Sequence, residues 1–133
     1  MLVNFGVENS NYEITLADTE SMYNLQPEKD RSKFLPFGLT IHKERKIYIN
    51  SDLCLQERYK TLLHELMHAW MWVTGNANHE EYNEDHICEM VASSNTVIYD
   101  IACRFVKEEL NNEIKTIKVE LDKVKSENLN WGE

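Results

Sequence analysis

The chain has 133 residues, of which 42% are hydrophobic and 28% are charged. This composition is typical of a single compact globular domain with a modest core. The formal net charge of -9 argues against nucleic acid or an anionic membrane as a main partner, because both are bound by basic surfaces.

The beginning of the chain predicts two strands and a short helix. Residues 2–7 and 12–16 alternate loosely between apolar and polar side chains, which is typical of short strands. Asp18 or Thr19 can cap a short helix that continues to Leu25. No basic leader precedes a long apolar run near the first residues, so the pattern predicts a cytoplasmic protein without a spanning segment.

The next segment predicts a β-hairpin. Residues 39–41 and 46–49 are rich in residues that favour strands, and the charged turn at 42–45 separates them. The hairpin leads directly into the segment that predicts the main helix.

The main helix is predicted between a polar cap and a glycine stop. Ser51 or Asp52 is a suitable N-cap, and Gly75 is a suitable C-terminal stop, which predicts a helix of about 22 residues. An apolar stripe at helical spacing predicts its core-facing side: Leu55, Tyr59, Leu62, Leu66, Trp70 and Val73.

This helix carries His64 and His68 with Glu65 between them. At about 100° per residue, the two histidines project from successive turns of one face and can share a tetrahedral metal ion. Glu65 is then placed to take a proton from a metal-bound water. The three residues therefore predict two metal ligands and a catalytic general base.

A second helix is predicted to begin near Tyr82. Its expected buried side follows helical spacing: Ile87, Val91, Ser94, Ile98, Ile101 and Phe105. A catalytic zinc ion usually has three protein ligands and keeps the fourth position for water, so this helix must supply the third. When the expected buried side of this helix is extended back by one turn, it reaches Glu84, which is the favoured third ligand. His86 and Glu89 remain alternatives. Cys88 could also bind zinc, but it better suits a small buried thiol.

The final part of the chain predicts an extended amphipathic helix over 107–127 and a loose tail over 128–133. Apolar residues repeat there at intervals of four and three: Leu110, Ile114, Ile117, Leu121 and Val124. This spacing resembles the a and d positions of a coiled coil. Two interpretations stay open, a helix that folds back on its own domain and the seam of a homodimer.

Three segments together resemble the ImmA/IrrE family of metallopeptidases, especially small members carried by bacteriophages and mobile elements. They are residues 38–41, residues 46–50 and residues 58–69, and the resemblance extends from Gly38 to Ala92. The helix motif is common to all zincins, whereas the hairpin before it narrows the choice. The resemblance implies an α+β fold in which residues 1–133 form one minimal zincin-like domain. A small mixed or antiparallel sheet would pack on the motif helix, next to a long C-terminal helix.

The resemblance also implies a zinc cofactor and a role for Glu84 as the third ligand. In the family an Asp or Asn commonly follows the ligand by four residues, and Cys88 stands there instead. A peptide substrate would add to an edge of the sheet, for which residues 46–49 are one candidate. His79, Tyr82 and Tyr99 are available as donors to the oxyanion, and the sequence selects none of them.

The leading interpretation is a zinc-dependent metallopeptidase that cleaves a specific protein, with a regulator such as a repressor as the substrate that the resemblance suggests. The alternative is a phage-encoded protein-binding regulator or inhibitor that uses the zincin scaffold with little or no peptidase activity. A purely structural zinc site is disfavoured, because such sites usually have four protein ligands and often several cysteines. Cys54, Cys88 and Cys103 form an odd count without short paired spacing, which is typical of free thiols in a reducing compartment.

Overall fold

The computed structural model describes residues 1–28, 36–77 and 82–130. In these residues the chain forms four strands and three helices. In chain order they are β1 (Leu2–Asn4), β2 (Asn11–Ala17), α1 (Thr19–Leu25), β3 (Gly38–Ile41), β4 (Lys46–Asn50), α2 (Leu55–Val73) and α3 (Glu84–Asn130). The predicted α+β class, with a small mixed sheet, a motif helix and a long C-terminal helix, is confirmed.

The strands form one sheet in the order β1-β2-β4-β3. β2 and β4 are parallel, and the two outer pairs are antiparallel. The prediction that residues 46–49 form an edge is wrong, because β4 lies between β2 and β3. Ile47 and Ile49 of β4 are fully buried, which is consistent with a central position in the sheet. Within the described sheet, β3 is the outer strand of the hairpin.

The predicted hairpin is confirmed, with each strand one residue longer than expected. Its turn ends at Arg45, which has a φ of 57° and whose N–H donates to the carbonyl of His42 over 3.2 Å. The first strand is shorter than predicted and ends at Asn4. Gly6, with a φ of 80°, turns the chain away soon after it.

One face of the sheet packs against α2. Because Gly38 pairs with Ile49 and Thr40 pairs with Ile47, these residues of β3 lie on the same face as the buried isoleucines. The sheet and α2 contribute the following side chains to the core: Tyr12, Ile14, Ile47, Ile49, Leu62, Leu66, Ala69 and Trp70. The edge strand is thereby held directly beside the helix that carries the histidines.

The predicted start of α2 is wrong, and its predicted stop is confirmed. Cys54 is the N-cap and makes no side-chain capping bond. Asp52 does not cap α2, because its carboxylate accepts hydrogen bonds from the N–H and hydroxyl of Thr19, at 2.9 and 2.8 Å. At the other end, Gly75 has a φ of 79°, and the next N–H, of Asn76, donates to the carbonyl of Met71 over 2.8 Å. This left-handed turn ends the helix as expected.

α3 begins at Glu84, and the Asn83 side chain accepts a hydrogen bond from the N–H of His86 over 2.7 Å. This contact is typical of an N-cap. Ser94, Ile98, Ile101 and Phe105 are buried as predicted, but Ile87 and Val91 are 46% and 56% exposed. The buried side of α3 passes through Met90 instead of Val91. Near the start of the helix it is therefore rotated by about 100° from the predicted side.

The contacts divide the chain into two units. Met1–Ala102 contains the sheet, α1, α2 and the first part of α3, and Cys103–Glu133 contains the remainder of that helix. The predicted amphipathic helix over 107–127 is helical throughout, and the helix continues to Asn130. The last residues of the predicted tail, 131–133, lie outside the described residues. No helix of the described ranges is long and apolar enough to cross a bilayer.

Candidate metal and catalytic site

His64 and His68 lie side by side on the exposed face of α2. Their Nε2 atoms are 3.1 Å apart, and their ring centroids are 4.7 Å apart. Two imidazole nitrogens on a tetrahedral zinc ion, each at about 2.05 Å, lie about 3.3 Å apart. The pair therefore fits two positions of a zinc ion almost without movement, and imidazole nitrogen is a donor that zinc favours.

Glu65 is only 7% exposed and, like His64, lines the cavity beside β3. The Thr40 hydroxyl donates to Oε2 of Glu65 at 2.5 Å and approaches its backbone carbonyl at 3.3 Å. The edge strand thus fixes the carboxylate of the predicted general base. Thr40 was not among the site residues predicted from the sequence. A polar residue at a helix-facing position of an apolar strand is the signal that could have found it.

Gly38 allows β3 to approach α2 closely. A Cβ built on this residue would lie 2.6 Å from Cγ2 of Thr61 and 2.8 Å from Cγ of Glu65. Both distances are shorter than carbon atoms tolerate, so a larger residue would require the Thr61 and Glu65 side chains, the strand or the helix to move. Glycine at this position therefore permits the close contact between β3 and Glu65.

The open edge of β3 presents backbone groups beside this site. The Asn50 N–H donates to the carbonyl of Phe37 over 2.9 Å, so Phe37 hydrogen-bonds toward β4. Because antiparallel pairs alternate, the N–H and C=O groups of Gly38 and Thr40 point away from β4. They face the open edge of the described sheet.

A cavity of about 420 Å³ adjoins the carboxylate of Glu65. Its lining combines apolar, charged and predicted site residues: Pro36, Phe37, Gly38, Glu57, Lys60, Thr61, His64 and Glu65. A volume of this size accommodates a side chain of a peptide or a small ligand. A larger depression of about 560 Å³ lies along α1 and contains none of the predicted site residues.

His42 lies at the far end of β3 and also belongs to this region. Its ring stacks on Trp72 with centroids 4.5 Å apart, and its Nδ1 lies 2.9 Å from the hydroxyl of Tyr12. Partial burial lowers the pKa of His42, and the nearby positive charges of His68 and Arg45 lower it further. From the sequence, this residue was expected only in the hairpin turn. Tertiary packing therefore fixes the histidine that immediately follows the edge strand.

The structure brings His64 and His68 together but does not bring Glu84 to them. Glu84 is exposed at the start of α3. Within residues 1–28, 36–77 and 82–130, no three His, Cys, Asp or Glu side chains are grouped to hold a metal ion. The third ligand therefore stays a prediction.

The alternative ligands on α3 differ in position. His86 is half-buried, and with Glu89 it lines a cavity of about 80 Å³ next to Trp70 and Met90. His86 thus lies on the side of α3 that faces α2, where Glu84 was expected. Cys88 is exposed, and the interpretation of a small buried thiol is wrong because the buried side of α3 passes through Met90.

The predicted oxyanion donors stay unassigned. The Tyr82 hydroxyl donates to the carbonyl of Asn76 over 2.6 Å, which fixes it in a structural contact. Tyr99 is 58% exposed, and His79 lies outside the described residues.

A His-Glu-x-x-His helix against the edge strand of a small mixed sheet defines a zincin-like metallopeptidase-type domain. The chain belongs to the family of IrrE N-terminal-like domains, Peptidase M78, whose family model matches residues 13–106. The resemblance identified from the sequence is thereby confirmed. A comparison with curated proteins and one with solved structures gave no match.

Proposed function

We propose that this protein is a zinc-dependent metallopeptidase that hydrolyses a peptide bond in a specific protein. The observation that carries the proposal is the pair of Nε2 atoms 3.1 Å apart, beside a buried glutamate that a threonine of the edge strand holds. Membership in a peptidase family supports the same activity. In this proposal His64 and His68 are metal ligands and Glu65 is the catalytic residue.

When bound, zinc lowers the pKa of a water molecule and polarises the scissile carbonyl. Glu65 accepts the proton of the attacking water and later delivers it to the leaving amine. The Thr40 hydroxyl occupies Oε2 of the carboxylate, while Oε1 lies against Gly38 beside the cavity. Thr40 thus orients the base so that one oxygen is available for the proton.

The open edge of β3 is the proposed binding site for the substrate peptide. An extended peptide can pair with the outward backbone groups of Gly38 and Thr40, as peptides add to exposed sheet edges elsewhere. One side chain of that peptide would enter the cavity beside Phe37 and Lys60. Recognition by backbone pairing and one cavity is consistent with a specific protein substrate, for which a regulator such as a repressor is our first candidate.

Metal analysis tests the proposed ligands. Protein purified without added zinc should contain about one ion per chain, as expected of a catalytic zinc site. We expect His64→Ala or His68→Ala to remove most of it. For the third ligand we propose Glu84, with His86 and Glu89 as alternatives. Separate substitutions, Glu84→Gln, His86→Phe and Glu89→Gln, identify the ligand as the one whose loss weakens zinc binding by roughly ten- to a hundred-fold or more.

The variant Glu65→Gln tests the activity. It should keep its zinc and its fold, yet lose hydrolysis of a substrate found by comparing the proteomes of cells that express wild type or the variant. A cleavage product that is as abundant with Glu65→Gln as with wild type would contradict the mechanism.

The second candidate is a protein-binding regulator or inhibitor on the same scaffold. It is favoured by the exposed position of Glu84, which leaves the third ligand undetermined. If the biological effect of the protein survives Glu65→Gln, this second candidate replaces the first.

A further inference from the structure

The seam of the C-terminal helix is exposed. Its five apolar residues alternate at intervals of four and three, as a and d positions do. Each is between 39% and 60% exposed: Leu110, Ile114, Ile117, Leu121 and Val124. Exposed apolar rows of this length are typical of interaction surfaces.

The charged residues beside the seam follow the same heptad. If Ile114 is an a position, then the g positions are all glutamate and two of the three e positions are lysine. The g residues are Glu113, Glu120 and Glu127, and the e residues are Asn111, Lys118 and Lys125. In coiled coils these positions flank the apolar seam and determine the partner and its orientation.

This charge pattern distinguishes between two orientations of a second copy. In a parallel pair, each g residue meets the e residue of the following heptad on the other helix. Glu113 then meets Lys118, and Glu120 meets Lys125. In an antiparallel pair, g meets g and e meets e, which would place glutamate against glutamate and lysine against lysine.

We propose that the seam of α3 is an interface for a second copy of this chain, in a parallel coiled coil. The exposed apolar row supplies the buried surface, and the complementary charges at g and e set the parallel register. The seam has only about two heptads, fewer than the three or four of stable isolated coiled coils. We therefore expect a reversible dimer whose population rises with protein concentration.

The first experiment measures the mass of the full chain by sedimentation equilibrium over a range of micromolar concentrations. Ile117→Asp places a carboxylate in the seam of both copies and should weaken association by at least about a hundred-fold, since two apolar side chains lose their burial. Val119→Asp is the matched control, because Val119 lies at an f position of the same helix and is 68% exposed. It should associate like wild type. Circular dichroism shows whether both variants keep their helix content.

The second experiment tests the orientation. Glu120→Lys should weaken the parallel dimer several-fold, since it places the new lysine against Lys125 of the other copy. Adding Lys125→Glu to this variant should restore association. The single substitution also reduces the negative net charge, so weaker association cannot result from general repulsion.

Three results would overturn the proposal. Wild type that stays monomeric at the highest concentration excludes the interface, and equal dissociation by the Ile117 and Val119 variants excludes the seam. If Lys125→Glu does not restore the association of Glu120→Lys, the parallel register is excluded, because these two positions are partners only there.

Discussion

The hydroxyl of Thr40 orients the carboxylate of Glu65, the proposed general base. Glu65 is buried between α2 and β3, so its orientation depends on a partner that the protein itself supplies. A hydrogen bond to a charged group in such a place contributes about 1.5–3 kcal/mol. The position of the Thr40 hydroxyl on β3 therefore determines the orientation of the Glu65 carboxylate.

Thr40→Val should reduce the kcat of the proposed reaction by roughly ten- to a hundred-fold, because the carboxylate loses its orienting donor. Thr40→Ser keeps the hydroxyl and should retain most of the activity. KM and zinc content should be unchanged in both variants, which separates orientation of the base from loss of the site. Equal kinetics for the valine and serine variants would show that the hydroxyl does not orient Glu65.

Gly38→Ala should destabilise the protein by about 1–3 kcal/mol, because the new methyl group overlaps Thr61 and Glu65. Chemical denaturation measures this loss. Thr61→Ser removes Cγ2, the nearest atom at 2.6 Å, and should recover part of the stability when combined with Gly38→Ala. A Gly38→Ala protein as stable as wild type would mean that β3 can move away from α2 at little cost.

At the scale of elements, two carboxylates stabilise the start of α1, and one of them, Asp52, comes from the loop before α2. Asp18 accepts a hydrogen bond from the N–H of Ser21 at 2.7 Å, and Asp52 accepts one from the N–H of Thr19 at 2.9 Å. Backbone hydrogen bonds, with a further side-chain contribution, lower the pKa of both carboxyl groups below their ordinary value of 3.8. Both groups are therefore bonded more strongly when ionised.

The pH dependence of unfolding tests these bonds. A carboxyl group with a lowered pKa in the folded state stabilises the fold above its unfolded-state pKa, and this contribution is lost as pH falls through the lower folded-state value. We expect the free energy of unfolding to decrease on acidification below about pH 4. The double variant Asp18→Asn and Asp52→Asn keeps acceptor oxygens and cannot titrate, so its stability should fall less over the same range. Parallel curves for both proteins would contradict this assignment.

At the scale of the whole molecule, zinc should stabilise the fold that holds its ligands. A ligand at a concentration of about 100 times its Kd adds about 2.7 kcal/mol to the free energy of unfolding. Thermal unfolding with zinc or with a chelator should show this difference in wild type and should lose it in His64→Ala. Cys88→Ser is the control and should respond to zinc like wild type. If the cysteine variant loses the response instead, the ligand set includes Cys88.

Much of the site could be predicted from short-range patterns. The spacing of His64 and His68 places both imidazoles on one helical face whatever surrounds the helix. The hairpin of β3 and β4 depends on strand-favouring residues on both sides of a charged turn. Gly75 ends α2 because glycine readily adopts a positive φ. Each of these features involves residues that are close in the sequence.

Other features depended on residues far apart in the chain. The N-cap of α2 was mispredicted because Asp52 bonds to Thr19, 33 residues away, and a local capping pattern does not reveal such a competitor. The buried side of α3 was mispredicted near its start because Val91 and Met90 are equally apolar, and only packing chooses between them. The same rotation leaves Glu84 exposed and places His86 toward α2.

The sequence by itself determined the main strands and helices and the helix motif, because helical spacing and strand alternation are local properties of the backbone. Its resemblance to a known family supplied the class of fold. Only the tertiary structure decided that β3 is the edge strand, that Thr40 and Gly38 enclose Glu65, and that the seam of α3 is exposed. The physical reason is that sheet order and burial result from pairings between distant segments. β2 and β4 pair in parallel across more than 30 residues, and no pattern within either strand specifies that partner.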